Sequence, residues 1–337
     1  MMSDQSIQLP WMQKSWFEQA STWVHAELER QDIYVTGLIE QPHGGFSSTV
    51  LRVPSTAGDI YFKACGPAFA HEPALTDSLW RWRPDCMPQV LAIDLQRGWM
   101  LTPDLGATLR SIIQPTRVLE HWRRVLPLYA EVQIDLANRI DEILELGGLD
   151  RRLTMLPDHY EQLLTDTDAL RLGHPDGLSD EEYRSLRQIA PKVRAMCEQL
   201  AGYRIPETLH HEDFHGANIF IRNSHYTFAD WGESGVAHPF FTLLVTSRVI
   251  AWRLKLAEDA PELVHLRDIY LEPWTHYESR ENLIAAFKLA YRVGMICRAL
   301  TWYRILAGEE EPVNAEYADA VTDWLQEFLN YETTPTV

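Results

Sequence analysis

The hydrophobic pattern of the first hundred residues predicts one helix followed by a small sheet. Apolar residues recur at helical spacing from Ser15 to Arg30, and Ser15 with Glu18 has the form of a capping box. A helical stretch at Glu72–Trp82 interrupts the β-rich part. The β-rich runs, broken by Gly, Pro, Asp and Ser, are Ile33–Ile39, Thr49–Val53, Ile60–Ala64, Gln89–Asp94 and Trp99–Thr102.

Beyond Pro103-Asp104-Leu105-Gly106 the period becomes mostly helical. The one β signal there is a hairpin, Asn218–Arg222 and Tyr226–Asp230. The pattern therefore predicts an α+β protein with a β-rich lobe at 1–102 and a larger helical lobe at 103–337. The helical segments are Thr116–Glu145, Pro157–Asp168, Ser179–Ala201, Phe240–Leu256, Arg280–Ala307 and Asn314–Tyr331.

Composition narrows the class of protein. With 337 residues, 46% of them apolar, the chain can bury a hydrophobic core without disulfide bonds or a bound metal to stabilise it. Its four cysteines form no CxxC pair, which disfavours a disulfide scaffold or zinc ribbon and favours a reducing cytoplasm. Met1–Pro10 lacks the basic and apolar regions of a signal peptide, and no apolar stretch approaches the length of a membrane span. We therefore expect a cytoplasmic protein.

The charge balance disfavours nucleic acid as the main partner. The chain carries 30 Lys+Arg against 48 Asp+Glu, a formal charge of −18, which repels a phosphate backbone. A negative field would concentrate cationic small molecules, although acidity for solubility alone explains the same balance.

The stretch from His211 to Asn218, with Asp230-Trp231-Gly232 after the hairpin, carries the chemistry. Asp213, Asn218 and Asp230 supply three oxygen-bearing side chains that a hairpin would bring to one place. Asn218 and Asp230 suit Mg²⁺, which prefers oxygen ligands and leaves positions for substrate phosphates. The Asp213 carboxylate can then accept a hydroxyl proton and direct the oxygen at phosphorus.

These motifs, H-x-D-x-x-x-x-N followed by D-W-G, resemble the aminoglycoside phosphotransferase and choline kinase group of small-molecule kinases. The resemblance implies a two-lobe protein-kinase-like fold, with Asp213 as catalytic base and with Asn218 and Asp230 binding magnesium. Relatives often have Gly where Glu212 stands here. We expect that departure to affect the loop more than the chemistry.

Upstream features fit the same resemblance. Lys63 is a lone cation on an apolar strand, where burial is costly without a partner or function. The resemblance implies that it contacts the nucleotide α- and β-phosphates and pairs with Glu72, although Glu72 could instead serve only the helix dipole. Gly44, Gly45, Ser47 and Ser48 belong to a loop, Gln41–Ser48, that offers flexible amides and hydroxyls for covering phosphates. Met100–Asp104 resembles an adenine-binding hinge.

The sequence therefore predicts an enzyme that uses ATP or GTP with Mg²⁺ to phosphorylate a hydroxyl of a small molecule, such as an aminoglycoside or another aminated compound. Tyr303 and the acidic run Glu309–Glu311 are candidates to face such an acceptor.

Three alternatives stay open. The motif residues could merely satisfy a buried turn. The cluster of His210, His211, Asp213 and His215 could serve a metallohydrolase, although the spacing is neither HxH nor HExxH. A nucleotide-binding regulatory protein could keep the kinase shape without transferring phosphate.

Overall fold

The computed structural model describes residues 9–45, 47–112, 114–307 and 317–333. Its contacts divide the chain into two compact units. The first comprises Met1–Gly106 with Ile221–Gly232, and the second comprises Ala107–Phe220 with Glu233–Val337. The predicted boundary between 102 and 103 stays a prediction, and the first unit takes in a segment from much later in the chain.

The first unit is built on a five-stranded antiparallel sheet with the order β1-β2-β3-β5-β4. Strict alternation along β3 buries Phe62 in the core and turns Lys63 to the other face. Its elements are α1 (Lys14–Glu29), β1 (Glu40–Gly44), β2 (Ser48–Ser55), β3 (Gly58–Cys65), α2 (Glu72–Trp82), β4 (Ala92–Asp94) and β5 (Trp99–Pro103).

An aromatic cluster joins α1 to this sheet. The rings of Trp16, Trp23, Phe62 and Trp99 meet edge to face, with centroids 5.4 Å apart for Phe62 and Trp99. Aliphatic residues of α1, β2 and β3 complete the core around these rings. Because β3 runs through this rigid core, the backbone at Lys63 is firmly placed.

Two expectations for this unit are wrong. The run Ile33–Ile39 is not a strand, since only Val35 makes a bridge, to Ser55, and the first strand begins at Glu40. Its apolar side chains pack against the core without needing strand pairing. The predicted capping box is also absent, because a 3₁₀ turn at Pro10–Met12 leads into α1 earlier, which places Ser15 inside the helix.

Helices dominate the second unit, as expected, but two of the predicted helices are broken. Thr116–Glu145 is interrupted by a 3₁₀ turn at Ala137–Arg139, and Ser179–Ala201 breaks at Ile189, before a proline. The capping box of Ser179 with Glu182 is confirmed. The helices are α3 (Pro115–Leu136), α4 (Ile140–Glu145), α5 (Leu156–Leu163), α6 (Asp180–Gln188), α7 (Ala190–Ala201), α8 (Thr242–Leu254), α9 (Pro261–Leu271), α10 (Arg280–Leu306) and α11 (Ala320–Thr333).

Short strands lie between these helices. The predicted hairpin is confirmed as β9 and β10, and β6 lies beside β9 in the sheet order β10-β9-β6. The sequence missed a second small sheet with the order β7-β11-β8, since strands of two or three residues carry no readable period. The strands are β6 (Ala107–Thr108), β7 (Leu149–Asp150), β8 (Thr208–His210), β9 (Ile219–Arg222), β10 (His225–Phe228) and β11 (Gly235–Ala237).

The architecture confirms the predicted α+β class. In the part of the chain that the structure describes, no helix combines the length and the apolar character needed to cross a bilayer.

His238, directly after β11, gives a testable link between burial and stability. It is fully buried, its Nδ1 accepts from the amide of Phe240, and burial together with nearby His210 lowers its pKa to about 3. Below about pH 6.5 this histidine is therefore protonated in the unfolded chain but stays neutral in the folded protein. The free energy of unfolding consequently falls as the pH drops.

We expect His238→Asn, which keeps an acceptor for the Phe240 amide but cannot be protonated, to remove about 2 kcal/mol of the stability loss between pH 6.5 and 5. Denaturant unfolding of both proteins at pH 7.5 and 5.0 measures this difference. Equal pH dependence in the two proteins would contradict the assignment.

Candidate functional site

In the first unit, one buried carboxylate organises the predicted nucleotide-binding residues. The Lys63 ammonium lies 2.7 Å from Glu72 Oε1 and 2.6 Å from Asp230 Oδ1. Lys63 comes from β3, Glu72 opens α2, and Asp230 follows β10. Although 167 residues separate Lys63 from Asp230, the fold brings the two into direct contact. The ion pair of Lys63 with Glu72, which the resemblance implied, is present.

The D-W-G segment is fitted around Glu72. The amide of Trp231 donates to Glu72 Oε1 over 3.1 Å, and the Trp231 indole is anchored by a 2.9 Å bond to the Phe228 carbonyl. A Cβ on Gly232 would lie 3.0 Å from Glu72 Oε2 and 2.8 Å from the Phe69 ring, so glycine fits best there. Contacts within this unit thus account for the Trp and the Gly of the motif.

Asp230 itself has a left-handed backbone, with φ of +71°. This conformation is uncommon outside glycine and is tolerated best by Asp and Asn. Its carboxylate stays about half exposed, at 54%, whereas Glu72 is 1% exposed. Asp230 is therefore the member of this group that presents oxygen to solvent.

The charges of the cluster are mutually dependent. Burial raises the pKa of Glu72, and the Lys63 ammonium opposes that rise. Burial lowers the pKa of Lys63, but the carboxylates of Asp230 and Glu72 outweigh it and hold that pKa well above its usual range. The ammonium is consequently charged at any physiological pH, as contact with phosphates requires.

The predicted Gly/Ser loop is shorter than expected. Gln41–Gly44 belongs to β1 and Ser48 begins β2, so most of the predicted loop lies in strands. The Gly45 amide donates to the Ser48 carbonyl, and the Gly45 carbonyl accepts from the Trp11 indole over 2.9 Å. Ser47 also accepts from the Gly66 amide. The turn is thus tied to its own unit, and the phosphate-covering role of Gly44, Gly45, Ser47 and Ser48 stays a prediction.

In the second unit, the segment between β8 and β9 forms a closed loop around Asp213. Asn218 Nδ2 donates to the carbonyl of Asp213 over 2.9 Å and to its Oδ2 over 3.3 Å. His215 Nε2 lies 3.3 Å from the same Oδ2, while its Nδ1 accepts from the Ala217 amide. Phe214 anchors the loop by stacking on Tyr129 with centroids 4.0 Å apart. The side chains of Asp213 and Asn218 are therefore brought together.

Asn218 and Asp230 fit magnesium by their donor chemistry. Because Asn218 spends its amide nitrogen on Asp213, its amide oxygen is left as a potential ligand. Asp230 offers a half-exposed carboxylate. Both groups are hard oxygen donors of the kind that Mg²⁺ prefers.

The residues that the sequence analysis missed surround Asp213. Arg298 Nη2, on α10, lies 3.5 Å from Asp213 Oδ1, and Arg298 Nη1 donates to Glu233 and lies 3.9 Å from Glu212 Oε2. Arg298 stands as a lone cation in the apolar run Val293–Leu300. This is the same signal that singled out Lys63, so the sequence could have revealed it.

Glu212 takes a left-handed backbone, with φ of +66°, at the position where the resemblance implied glycine in relatives. Its buried carboxylate accepts from the Cys297 thiol over 2.7 Å and lies 3.5 Å from His210 Nε2. Although burial opposes it, the charges of His210 and Arg298 and the thiol bond lower the pKa of Glu212 to about 2. The departure from glycine is thus offset by a buried network of polar contacts.

Among the described residues, His210, Glu212 and Cys297 form the one group of three with metal-ligand chemistry. Their ligand atoms already bond one another, and the Arg298 cation lies beside the same carboxylate. A second cation there would be repelled. The set His210, His211, Asp213 and His215, proposed for a metallohydrolase, does not form such a group.

A cavity of about 410 Å³ opens in the second unit between α8, α10 and α11. Aromatic side chains of Trp302, Tyr317 and Trp324 line it together with Asp319 and Asp323. Burial and the neighbouring carboxylates of Asp319 and Glu327 raise the pKa of Asp323. Arg248 and Arg298 also line the cavity, but they pair with Glu327 and Glu233, whereas no cation of the described ranges lies within ion-pair distance of Asp319 or Asp323.

The sequence analysis also offered Tyr303 and Glu309–Glu311 as residues that face the acceptor. Tyr303 donates to Asp166 over 2.9 Å. Glu309–Glu311 lie outside the described residues.

Comparison with known proteins identifies the fold. Neither a protein-family model nor a curated protein sequence matches the chain. Among solved structures, a choline/ethanolamine kinase family protein from Mesorhizobium loti is 19% identical, with 94% of this chain and 96% of that chain covered and a TM-score of 0.61. Choline kinase from Streptococcus pneumoniae is 12% identical, with 94% and 99% covered and a TM-score of 0.61.

A thermostable mutant of an aminoglycoside phosphotransferase also matches, at 14% identity, 93% and 100% coverage and a TM-score of 0.53. The chain has the fold of these kinases. The resemblance suggested by the motifs at Asp213 and Asp230 is thereby confirmed at the level of the fold, over almost the whole chain.

The left-handed backbone at Glu212 can be tested with a matched pair of substitutions. Glu212→Gly and Glu212→Ala both remove the buried carboxylate, so they lose the same contacts. Only glycine adopts a positive φ freely, and we therefore expect the Gly protein to be about 1 kcal/mol more stable than the Ala protein. Urea unfolding of both proteins measures the difference, and an Ala protein as stable as the Gly protein would contradict the backbone assignment.

Proposed function

We propose that the protein is a small-molecule kinase that transfers the γ-phosphoryl group of a magnesium nucleotide to an acceptor hydroxyl. The observation that carries this proposal is the convergence of Lys63, Glu72 and Asp230 on one point, in a chain with the fold of choline and aminoglycoside kinases. A lysine held by a buried glutamate beside an exposed aspartate is the arrangement that nucleotide phosphates and their metal require.

In this proposal the two units supply different groups. Lys63 binds the nucleotide phosphates as a fixed cation, and Glu72 keeps its ammonium from swinging away. Asn218 and Asp230 would hold Mg²⁺, which when bound neutralises charge on the phosphates.

Asp213 is the proposed base or orienting group. Asn218 and His215 hold its Oδ2 from two sides, and its side chain remains 25% exposed, so it can accept a hydrogen bond from an incoming hydroxyl. Since phosphoryl transfer passes through a loose transition state, aiming the hydroxyl oxygen at phosphorus contributes more than strong basicity.

The cavity between α8, α10 and α11 favours an aminated acceptor. The Trp302 and Trp324 rings already contact Arg298 and Arg248, so the groups left for an ammonium are Asp319 and Asp323, which have no ion-pair partner among the described residues. Its volume of about 410 Å³ falls in the ordinary range of small-molecule sites. This chemistry suits an amino alcohol or an amino sugar better than a neutral sugar.

Two substitutions with opposite kinetic signatures test the transfer reaction. Asp213→Asn should lower kcat by about two to four orders of magnitude while nucleotide binding persists, because it removes the proton acceptor alone. Lys63→Ala should chiefly raise the nucleotide KM. The assay follows γ-phosphate transfer from magnesium ATP and GTP to choline, ethanolamine, kanamycin, homoserine and glucose.

Full turnover in the Asp213→Asn protein would remove Asp213 from its role, and an unaltered KM in the Lys63→Ala protein would do the same for Lys63. Nucleotide binding by the wild type without transfer to any acceptor would favour a regulatory protein over a kinase.

The charge of the acceptor site is tested at Asp323. Asp323→Asn should raise the KM for an aminated acceptor about tenfold and leave the nucleotide KM unchanged, because it removes one uncompensated charge. Asp268→Asn is the matched control, since Asp268 lies outside the cavity and is paired with Arg267 and Arg280. Equal acceptor KM values in the two proteins would place the acceptor elsewhere.

A further inference from the structure

Arg298 is a buried cation that the proposed reaction leaves unexplained. It lies on α10 between buried apolar neighbours and is only 7% exposed. A buried guanidinium is costly unless charges compensate it, so its place in this helix requires partners or a function.

Its partners are three acidic residues that share one guanidinium. Nη1 donates to Glu233 and lies 3.9 Å from Glu212 Oε2, while Nη2 lies 3.5 Å from Asp213 Oδ1. The planar fork lets two nitrogens address different carboxylates at once. A lysine ammonium, as a single point charge, cannot reproduce this division.

The contact with Asp213 completes the support of that carboxylate. Oδ2 is held by His215 and Asn218, both of its own loop, at 3.3 Å each. Oδ1 has Arg298, which belongs to a different element, α10. Among the described residues, the Asp213 carboxylate without Arg298 would be held only at one oxygen and only by its own loop.

Arg298 is itself well fixed. Its guanidinium carbon lies 5.5 Å from the ring centroid of Trp302, one helical turn further along α10. Although Arg298 opposes it, burial raises the pKa of Glu233 to about 7, with Asp213 adding to the rise. Glu233 can therefore take up a proton if the arginine is removed, which favours survival of the fold in a truncated variant.

We propose that Arg298 is a positioning residue for Asp213: it fixes the orientation of the carboxylate that aims the acceptor hydroxyl. The inference rests on the proposed kinase function. A misplacement of about 1 Å can slow an aligned reaction by about a hundredfold, so loss of this support should appear in kcat rather than in nucleotide binding.

The cavity makes a direct test possible. Arg298 lines it, so truncation of the side chain leaves a space that opens to the cavity. A free guanidinium ion can enter that space and restore the missing contacts. A purely structural arginine would give no such recovery of rate, because tens of millimolar guanidinium does not stabilise a fold.

The experiment measures kcat and nucleotide KM for Arg298→Ala with the panel acceptors, with and without 50 mM guanidinium chloride. We expect kcat to fall about a hundredfold, the nucleotide KM to stay within about twofold, and guanidinium to restore at least about tenfold of the rate. Urea, a neutral isostere, should restore nothing. Arg298→Lys should recover only part of the rate, because its single nitrogen replaces a fork.

Arg267→Ala is the matched control. Arg267 is also shielded, paired with Asp268 and placed over the Phe287 ring, but it lies outside the cavity. Its variant should keep the wild-type kcat and should not respond to guanidinium. If Arg298→Ala fails to fold, Arg298→Ala with Glu233→Gln removes one of the uncompensated acids and repeats the test.

The outcomes separate the two proposals. A wild-type protein that transfers phosphate to no acceptor overturns the kinase function, and the role of Arg298 with it. An active wild type with an unchanged kcat in the Arg298→Ala protein, or a lost kcat that guanidinium does not restore, overturns the role of Arg298 alone.

Discussion

A carboxylate can be buried only where cations or hydrogen-bond donors compensate it, and Glu72 places this constraint at the centre of the first unit. Its partners are the ammonium of Lys63, the thiol of Cys65 and the amide of Trp231. One side chain thus ties β3, α2 and the D-W-G segment to a common point. Any displacement of α2 would move the acceptor of the Trp231 amide, and with it the residue next to Asp230.

In the second unit the buried charge that needs compensation is positive rather than negative. Here a buried cation, Arg298, gathers acidic residues from separate segments of the chain. Such a network gives little net stability, because desolvation offsets much of the attraction between the charges. The network instead fixes the positions of the carboxylates, since each is held where the guanidinium group reaches it. Precision at Asp213 therefore comes from a helix more than eighty residues away in sequence.

The sequence predicted those parts of the fold and of the candidate site that depend on local pattern. A lone lysine in an apolar strand, a hairpin and a spaced set of Asp and Asn are local signals, and Lys63, Asp213, Asn218 and Asp230 follow from them. The helix Glu72–Trp82 was predicted with its observed bounds because its apolar period is undisturbed.

Other features depend on long-range packing and could not be predicted in the same way. The strand predicted at Ile33–Ile39 failed because burial of apolar side chains does not require strand pairing. The short strands β7, β8 and β11 owe their existence to one another, since two or three residues form no sheet alone. The left-handed backbone at Glu212 and its buried partners depend on α10, which no spacing near residue 212 reveals.

The return of Ile221–Gly232 to the first unit has a consequence for the order in which the protein can be built. A ribosome that has released only the first 106 residues has produced a sheet whose Lys63 still lacks Asp230 and whose Cys86 carbonyl still lacks the Phe228 amide. Synthesis proceeds from the N-terminus at about 5–20 residues per second, so these partners arrive several seconds or more later. The first unit therefore lacks part of its structure until the segment Ile221–Gly232 has been synthesised.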